Sequence, residues 1–270
     1  MLDLFGIPSQ QQSNYQEFYG GGTTYDWVKP RGASMVRFML IGAGGGGGVG
    51  SSSSGSGGGG SGAVTSWIGP AIFIPDILRI VIGAGGSSTA GGGFSYVIYQ
   101  AKDGTGYTLL TAEGGNSGTS GAITAGGGGS ATTANYFSAA GIYRSIAGQD
   151  GEQGSGSTSG TGVTQSATTF LSGGAGGAGS AAGEGGGVTP NYGYLALPLT
   201  TSGGTVKGAD GYFITQPILV GCGGAGGTTN LSVGTSGGNG GIGCGGGGSG
   251  EDQLTTSGRG GDGAVFIWSW

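Results

Sequence analysis

Residues 44–62 read GGGGGVGSSSSGSGGGGSG, and the reading given to this stretch decides the fold. Taken alone it would pass for a flexible linker, because Gly/Ser tracts behave as random coil. Yet glycine fills 76 of the 270 positions, in runs interleaved with short apolar segments along the whole chain. Inside a regular element each glycine costs roughly 0.5–1 kcal/mol relative to Ala, through lost backbone freedom. A folded chain of this composition must therefore use the missing side chains. The use available is an approach of backbones so close that no Cβ fits.

Disorder goes with low hydrophobicity and high net charge. This chain is 35% hydrophobic and 8% charged, with a formal net charge of −5. Packed apolar segments are expected. Collagen is excluded, since there are only 7 prolines and the glycines fall in blocks without a G-X-Y period. What remains is a glycine-only analogue of that geometry. Polyproline-II-like helices have three residues per turn and no internal hydrogen bonds. Built from glycine, such polyglycine II helices can lie side by side and satisfy each other's N–H and C=O groups laterally. Residues 173–179 (GGAGGAG), 221–227 (GCGGAGG) and 237–248 (GGNGGIGCGGGG) fit this scheme, with Asn239 and Ile242 expected to point outward.

The apolar segments read as strands. Met35–Ile41, Ala63–Ile68, Ala71–Ile82, Gly211–Val220 and Gly263–Trp270 carry strand propensity bounded by glycine or proline. A Gly69-Pro70 turn is expected between the second and third. Phe94–Ala101 and Gly106–Ala112 flank Lys102-Asp103-Gly104-Thr105, and Asp-Gly between strand-like runs is a strong hairpin signal. The last strand is expected to close a sheet with the first. Three junctions echo one another, FMLIGAGG, RIVIGAGG and PILVGCGG. No amphipathic helix is legible. The expected fold is mainly β with irregular glycine-rich structure: an antiparallel sheet or sandwich joined to a bundle of polyglycine II helices. Residues 1–26 read as an N-terminal arm and 27–270 as a single domain. In the arm, Leu2, Leu4, Phe5 and Ile7 make an apolar tip, either a frayed terminus or a peptide that anchors in another protein.

Catalytic and ligand signatures fail one by one. Phe38–Gly47 contains G-x-G-x-x-G after a strand, but the helix that motif needs cannot form in residues 48–62. No G-K-[ST] phosphate loop exists. With no histidine in the chain, Ser-His and Cys-His catalysis are ruled out, and two cysteines make a zinc site improbable. Cys222 and Cys244 sit in repeated GCGG contexts and read as small apolar filler, reduced rather than bridged. Asp150 and Glu152 are near one another but read as a solvated loop rather than a rigid carboxylate pair. No enzyme, cofactor or metal is expected. A sequence pI near 4.4 with 8 Lys+Arg gives no footprint for nucleic acid. Met1–Phe5 lacks the basic start of a secretory signal, so assembly in a cytoplasm is expected.

The chain resembles glycine-rich proteins of bacteriophage tails. The resemblance is carried by Trp27–Gly47 (W-V-K-P-x-G-x-x-x-V-x-F-x-x-I-G-A-G-G-G-G), Ile74–Gly86 (I-P-x-x-L-R-I-V-I-G-A-G-G), Gly91–Ser95 (G-G-G-F-S) and Gly260–Trp268 (G-G-D-G-A-V-F-I-W). The later glycine blocks look like the polyglycine II sandwich of adhesins at T-even-like tail-fibre tips. The resemblance implies a virion protein, most simply a receptor-binding appendage, with a three-fold assembly as one possibility. A capsid or tail decoration protein is the alternative, and a secreted glycine-rich surface protein a further one. Receptor contacts, to a glycan or an outer-membrane protein, would come from exposed inserts. The candidates are Tyr136, Phe137, Tyr143 and Arg144 in one group and Asn191, Tyr192 and Tyr194 in another, aromatics being broad, stiff and part polar. The rival role for these rings is packing at sheet ends or against a neighbouring subunit.

Overall fold

At each strand-to-glycine junction the chain leaves a two-neighbour β-ladder and enters a lattice with more neighbours. This handover organises the whole molecule. A computed structural model describes residues 14–132, 140–179, 183–191, 207–215, 219–230, 233–251 and 256–270. The arm residues Leu2, Leu4, Phe5 and Ile7 lie outside the described residues, as do Tyr136, Phe137, Tyr192 and Tyr194.

Eight strands precede the glycine-dominated middle of the chain: β1 Asn14–Phe18, β2 Thr24–Val28, β3 Met35–Ile41, β4 Val64–Pro70, β5 Ile77–Val81, β6 Ser95–Gln100, β7 Gly106–Ala112 and β8 Ile142–Ile146. A C-terminal strand, Ala264–Ser269, completes the set. One antiparallel sheet runs β1, C-terminal strand, β3, β4, β8, and a second runs β2, β5, β6, β7. The C-terminal strand does pair with β3, Ala264 opposite Ile41 and Ser269 opposite Val36. Alternation along β3 explains the layering. Val36, Phe38 and Leu40 point into a core shared with Trp27, Leu78, Ile80, Val97 and Leu110 of the second sheet. Met39 and Ile41 point the other way, onto Leu171, Cys244 and Phe266. Phe38 lies edge-on to Trp27 at 5.6 Å, and the Trp67 ring is 6.2 Å from it.

The Asp-Gly hairpin forms as read. Ala101 donates to the Thr105 carbonyl, Asp103 Oδ1 accepts the Thr105 N–H, and Gly104 takes φ +87°, which glycine adopts without steric cost. Three expectations fail. Ala71–Ile82 is not one strand: a 3₁₀ turn covers Ala71–Phe73 and β5 starts only at Ile77. Ala71 donates to Ser34 and Ile74 donates back to Ala71, while Pro75 has no N–H for a ladder. Gly69-Pro70 therefore ends β4 instead of forming the turn. Gly211–Val220 likewise resolves into Phe213–Ile214 paired antiparallel with Val220–Gly221. The 3₁₀ turn is the only helical element among the described residues.

Beyond the junctions lies the bundle. The linker-like stretch is two antiparallel chains, 42–50 and 55–63, which close at a Ser51–Ser54 bridge. Chain 55–63 donates in rotation. Gly55, Gly58 and Ser61 donate to Ser155, Glu152 and Gln149; Ser56, Gly59 and Gly62 donate to Ser249, Gly246 and Gly243; Gly60 and Ala63 donate to Asn116 and Glu113. The same chain accepts from Gly42, Gly45 and Gly48, from Gly174 and Gly177, and from Gly126 and Gly129. These N···O distances run from 2.8 to 3.1 Å. Six neighbours thus surround one backbone, with every third residue facing the same one. A Cβ on Gly58, Gly59 or Gly60 would lie 2.1 Å from the Gly174 oxygen, 2.2 Å from Gly45 and 2.2 Å from Gly127, respectively. Side chains survive where the third-residue spacing permits. Ala175 and Ala178 in one chain, and Cys222, Ala225 and Thr228 in another, are all buried.

The lattice also corrects the reading of Asp150 and Glu152 as a loose loop. Gly151 donates to Gly126, Glu152 donates to Gly174, and the Glu152 carbonyl receives Gly58. Their segment is one of the neighbours of chain 55–63. Asn239 is exposed as expected, but Ile242 is half-buried and packs on the Met39–Phe266 core.

Two outcomes follow from this packing. Gly59→Ala should lower stability by at least the ~1–3 kcal/mol typical of overpacking, because no flexible side chain can yield to the new methyl. Equal thermal midpoints for Gly59→Ala and native protein would show the lattice to be looser than described. In hydrogen exchange, amides of residues 174–178 and 221–227 should exchange as slowly as those of β3, since both are held by buried backbone bonds. Exchange at coil rates there would mean a tether, not a solid.

Candidate recognition surface

The strands give the molecule two ends. β3, β5, β7 and β8 run from one pole toward the bundle, and the chain returns from the bundle along β4, β6 and the C-terminal strand. Each excursion therefore turns at the far, distal pole. The turns gathered there include Ser51–Ser54, Ser87–Ala90, 119–124 and 155–158. They interlock: Gly121 donates to the Val49 carbonyl, Ser120 Oγ accepts the Val49 N–H at 2.9 Å, Ser117 Oγ donates to the Thr89 carbonyl at 3.0 Å, and Ser257 Oγ donates to Ser88 Oγ at 2.9 Å. Ser155 Oγ accepts the Thr158 N–H within its own turn. The distal pole is a platform of small hydroxyl side chains on hydrogen-bonded turns.

One residue of this platform is strained. Thr89 has φ +66° and is the only non-glycine residue with positive φ among those described. A β-branched side chain is a genuine outlier in this region. Its N–H donates to Gly47 at 3.2 Å, so the surrounding turns hold it there.

The opposite, basal pole carries the 3₁₀ turn, the Asp-Gly hairpin tip and the start of β1, where Asn14 faces Ser269. Ile72, Phe73, Ile77 and Val28 are exposed there. Tyr143 and Arg144 lie on β8, an edge strand of the sandwich. Tyr143 is half-buried against the sandwich core, and its hydroxyl is committed to Thr132, 2.7 Å from Oγ1 and donating to the carbonyl at 3.0 Å. Arg144 is exposed. Asn191 is exposed beside Gln165, whose Oε1 accepts its N–H at 3.4 Å. Tyr143 and Arg144 therefore share an element with each other and not with Asn191. The distal hydroxyl turns were missed by a search for aromatic inserts. A signal for them existed, because glycine runs repeatedly end in Ser/Thr clusters: SSSS at 51–54, SST at 87–89, STS at 157–159.

Charge contributes little. Among the described residues, three ion pairs, Arg79–Asp26, Lys207–Asp210 and Arg259–Asp262, sit at the surface, where such pairs are worth about 0–1 kcal/mol each. In a fourth, Lys29–Asp76, the lysine is largely buried and also donates to the Ala71 and Ile74 carbonyls. On the edge strand β1, hydrogen bonds from Tyr15 and then Tyr19 hold the Glu17 carboxyl below its ordinary value. Both cysteines are buried and unbridged. Desolvation pushes the Cys222 thiol up to about 12 and Cys244 well above its ordinary value, so neither is a nucleophile near neutral pH.

The profile of the glycine-rich domain matches residues 20–269, nearly the whole chain. No curated protein matches it.

Replacing Thr89 by Asn, which tolerates the left-handed region, should stabilise the protein by about 1 kcal/mol through relief of backbone strain. Thermal unfolding measures this, and a fall in the midpoint would show that the Thr89 side chain supports the turn.

Proposed function

The chain belongs to the glycine-rich domain family, and on that premise we propose that it is a non-enzymatic bacteriophage virion protein, a receptor-binding appendage built on polyglycine II chains. The observation that carries this reading is the rotation of hydrogen bonds along chain 55–63. Three successive residues serve three neighbours, as a helix with three residues per turn requires. Such a body has its backbone as its core and almost no charge inside to titrate. It is a stiff spacer.

Polarity of the molecule supports the rest. A spacer needs an attached end and a presenting end, and the turns collect at one pole while β1 begins at the other. The N-terminal tip, with Leu2, Leu4, Phe5 and Ile7, is joined to the basal pole through Asn14 and is the proposed anchor to other virion proteins. The distal turns, held rigidly and including strained Thr89, are the proposed contact for a bacterial surface receptor, with Arg144 and Asn191 as lateral contacts. Strain held by its surroundings is a mark of functional sites. The phage setting, and any three-fold assembly, rest on the resemblance of Trp27–Gly47 and Gly260–Trp268 to tail proteins.

Purified protein should bind host cells and compete with phage for adsorption, and replacing Ser52 and Ser53 by bulky Glu should reduce both without lowering the melting temperature. Deletion of residues 1–8 should leave the fold intact and abolish incorporation into particles. Protein that is incorporated but neither binds cells nor competes would instead be a decoration protein. Normal incorporation of the deletion would remove the anchor.

A further inference from the structure

On the flank of the molecule, where the bundle meets the sheets, lies a groove of about 460 Å³, within the size range of small-molecule clefts. It is lined by the bare backbone of 240–241 and 260–261 together with Tyr212, Phe213, Ile242, Asn239, Arg259 and Asp262. Interior glycine chains are enclosed by neighbours. These two run at the surface, and lacking side chains they leave a furrow. A side chain on either stretch is sterically barred, since a Cβ at Gly240 would meet the Cys244 oxygen at 2.3 Å and one at Gly260 the Gly44 oxygen at 2.0 Å.

The polar side chains are each fixed by some of their atoms and leave others unspent. Asn239 Oδ1 accepts the Arg259 N–H at 2.9 Å, and the Asn239 N–H donates to Asp210 at 2.7 Å. Asp262 Oδ1 receives both Gly85 N–H and Arg259 Nη2 at 2.7 Å. Arg259 Nε reaches the Gly85 carbonyl at 3.4 Å. Asn239 Nδ2, Arg259 Nη1 and Asp262 Oδ2 have no partner among the described residues. Two donors and one acceptor thus border a single furrow, oriented in advance by their other bonds. Phe213 supplies a flat apolar surface, and Tyr212 a second ring whose hydroxyl is engaged by the Cys222 thiol.

We infer that this groove binds a neutral saccharide. A sugar ring offers hydroxyls that both donate and accept, and an apolar face that stacks on an aromatic ring. Arg259 and Asp262 neutralise each other, so the groove has no excess charge to hold a phosphate or a free carboxylate. Pre-orientation of the polar groups lowers the ordering cost of binding. The inference rests on the recognition role above for the origin of the sugar, a glycan of the host surface, but the site itself is distinct from the distal turns.

The test is titration of ¹⁵N-labelled full-length protein with D-glucose, D-galactose and N-acetyl-D-glucosamine, with D-glucuronate and inorganic phosphate as charged controls. At least one neutral sugar should shift the amides of Tyr212, Gly240 and Gly260 with a dissociation constant on the order of 1 mM, a common strength for single-ring ligands with few contacts. Phe213→Leu, which keeps bulk in the adjoining core, should weaken binding at least tenfold, and Asn239→Ala should do so without disturbing that core. Shifts from the charged controls alone, shifts centred elsewhere, or no shift at about 20 mM, well above the expected constant, would overturn the inference. A cell-binding arm separates the two readings. Cells bound equally by native protein and Phe213→Leu, with no sugar shifts, would leave receptor binding standing and remove the groove. Sugar shifts without cell binding would do the reverse.

Discussion

The rest of the structure depends on contact between a glycine Cα and a neighbouring carbonyl oxygen, at a separation that no other residue permits. At position after position a methyl group would sit about 2 Å from a backbone oxygen of the next chain. In an ordinary domain, side chains fill the space between backbones and bury apolar area. Here the backbones themselves close the gap. The stabilising contribution shifts to hydrogen bonds, each worth about 0.5–1.5 kcal/mol net, and to the dispersion of close-packed main-chain atoms. Because these bonds are buried, losing one leaves an unpaired buried group, which costs more than the bond contributed. A lattice so built resists local opening.

The sandwich and the bundle are complementary solutions to one accounting problem. Every buried N–H and C=O needs a partner. In the sheets, residues alternate between faces, so the chain has two bonded neighbours and two surfaces to cover with side chains such as Phe38 and Trp67. In the bundle the chain rotates, neighbours increase to six, and side chains must vanish from nearly every position. The junctions after β3 and β5 make the change within a residue or two, at Gly42 and Gly83. Side chains that remain in the lattice are spaced by three, as in Ala175 and Ala178, and serines remain where the hydroxyl bonds inward, as Ser172 Oγ does in accepting Gly223. The buried thiols of Cys222 and Cys244 obey the same rule, occupying positions that alanine could fill.

Clustering of the distal turns follows from this construction without any moving part. Strands that run alternately up and down put their glycine excursions in parallel, and the turns emerge together. Rigid support is what allows small hydroxyl side chains to act as a defined surface, since their positions are set by the lattice and not by their own packing. The flank groove is a second consequence of the same chemistry. Where glycine chains reach the surface, nothing fills the space above them, and the floor cannot be altered by ordinary substitution.

The sequence by itself determined the chemistry of the interior: 76 glycines with few charges, apolar strand segments ending in G-A-G-G, an Asp-Gly hairpin, and cysteines in alanine-like settings. It determined these because each rests on local properties, such as missing Cβ atoms, strand propensity and turn preference. Tertiary structure alone decided which chains are neighbours. Glycine runs carry no side-chain code for pairing, so nothing in residues 44–62 specifies that 55–63 will meet 149–155, 243–249 and 113–116. It also decided that Pro75 and the contacts of Ala71 break a long apolar run, that the 148–155 segment is locked into the lattice, and that Asn239, Arg259 and Asp262 border one furrow. These depend on residues far apart in the chain being brought within hydrogen-bond range, which no local preference encodes.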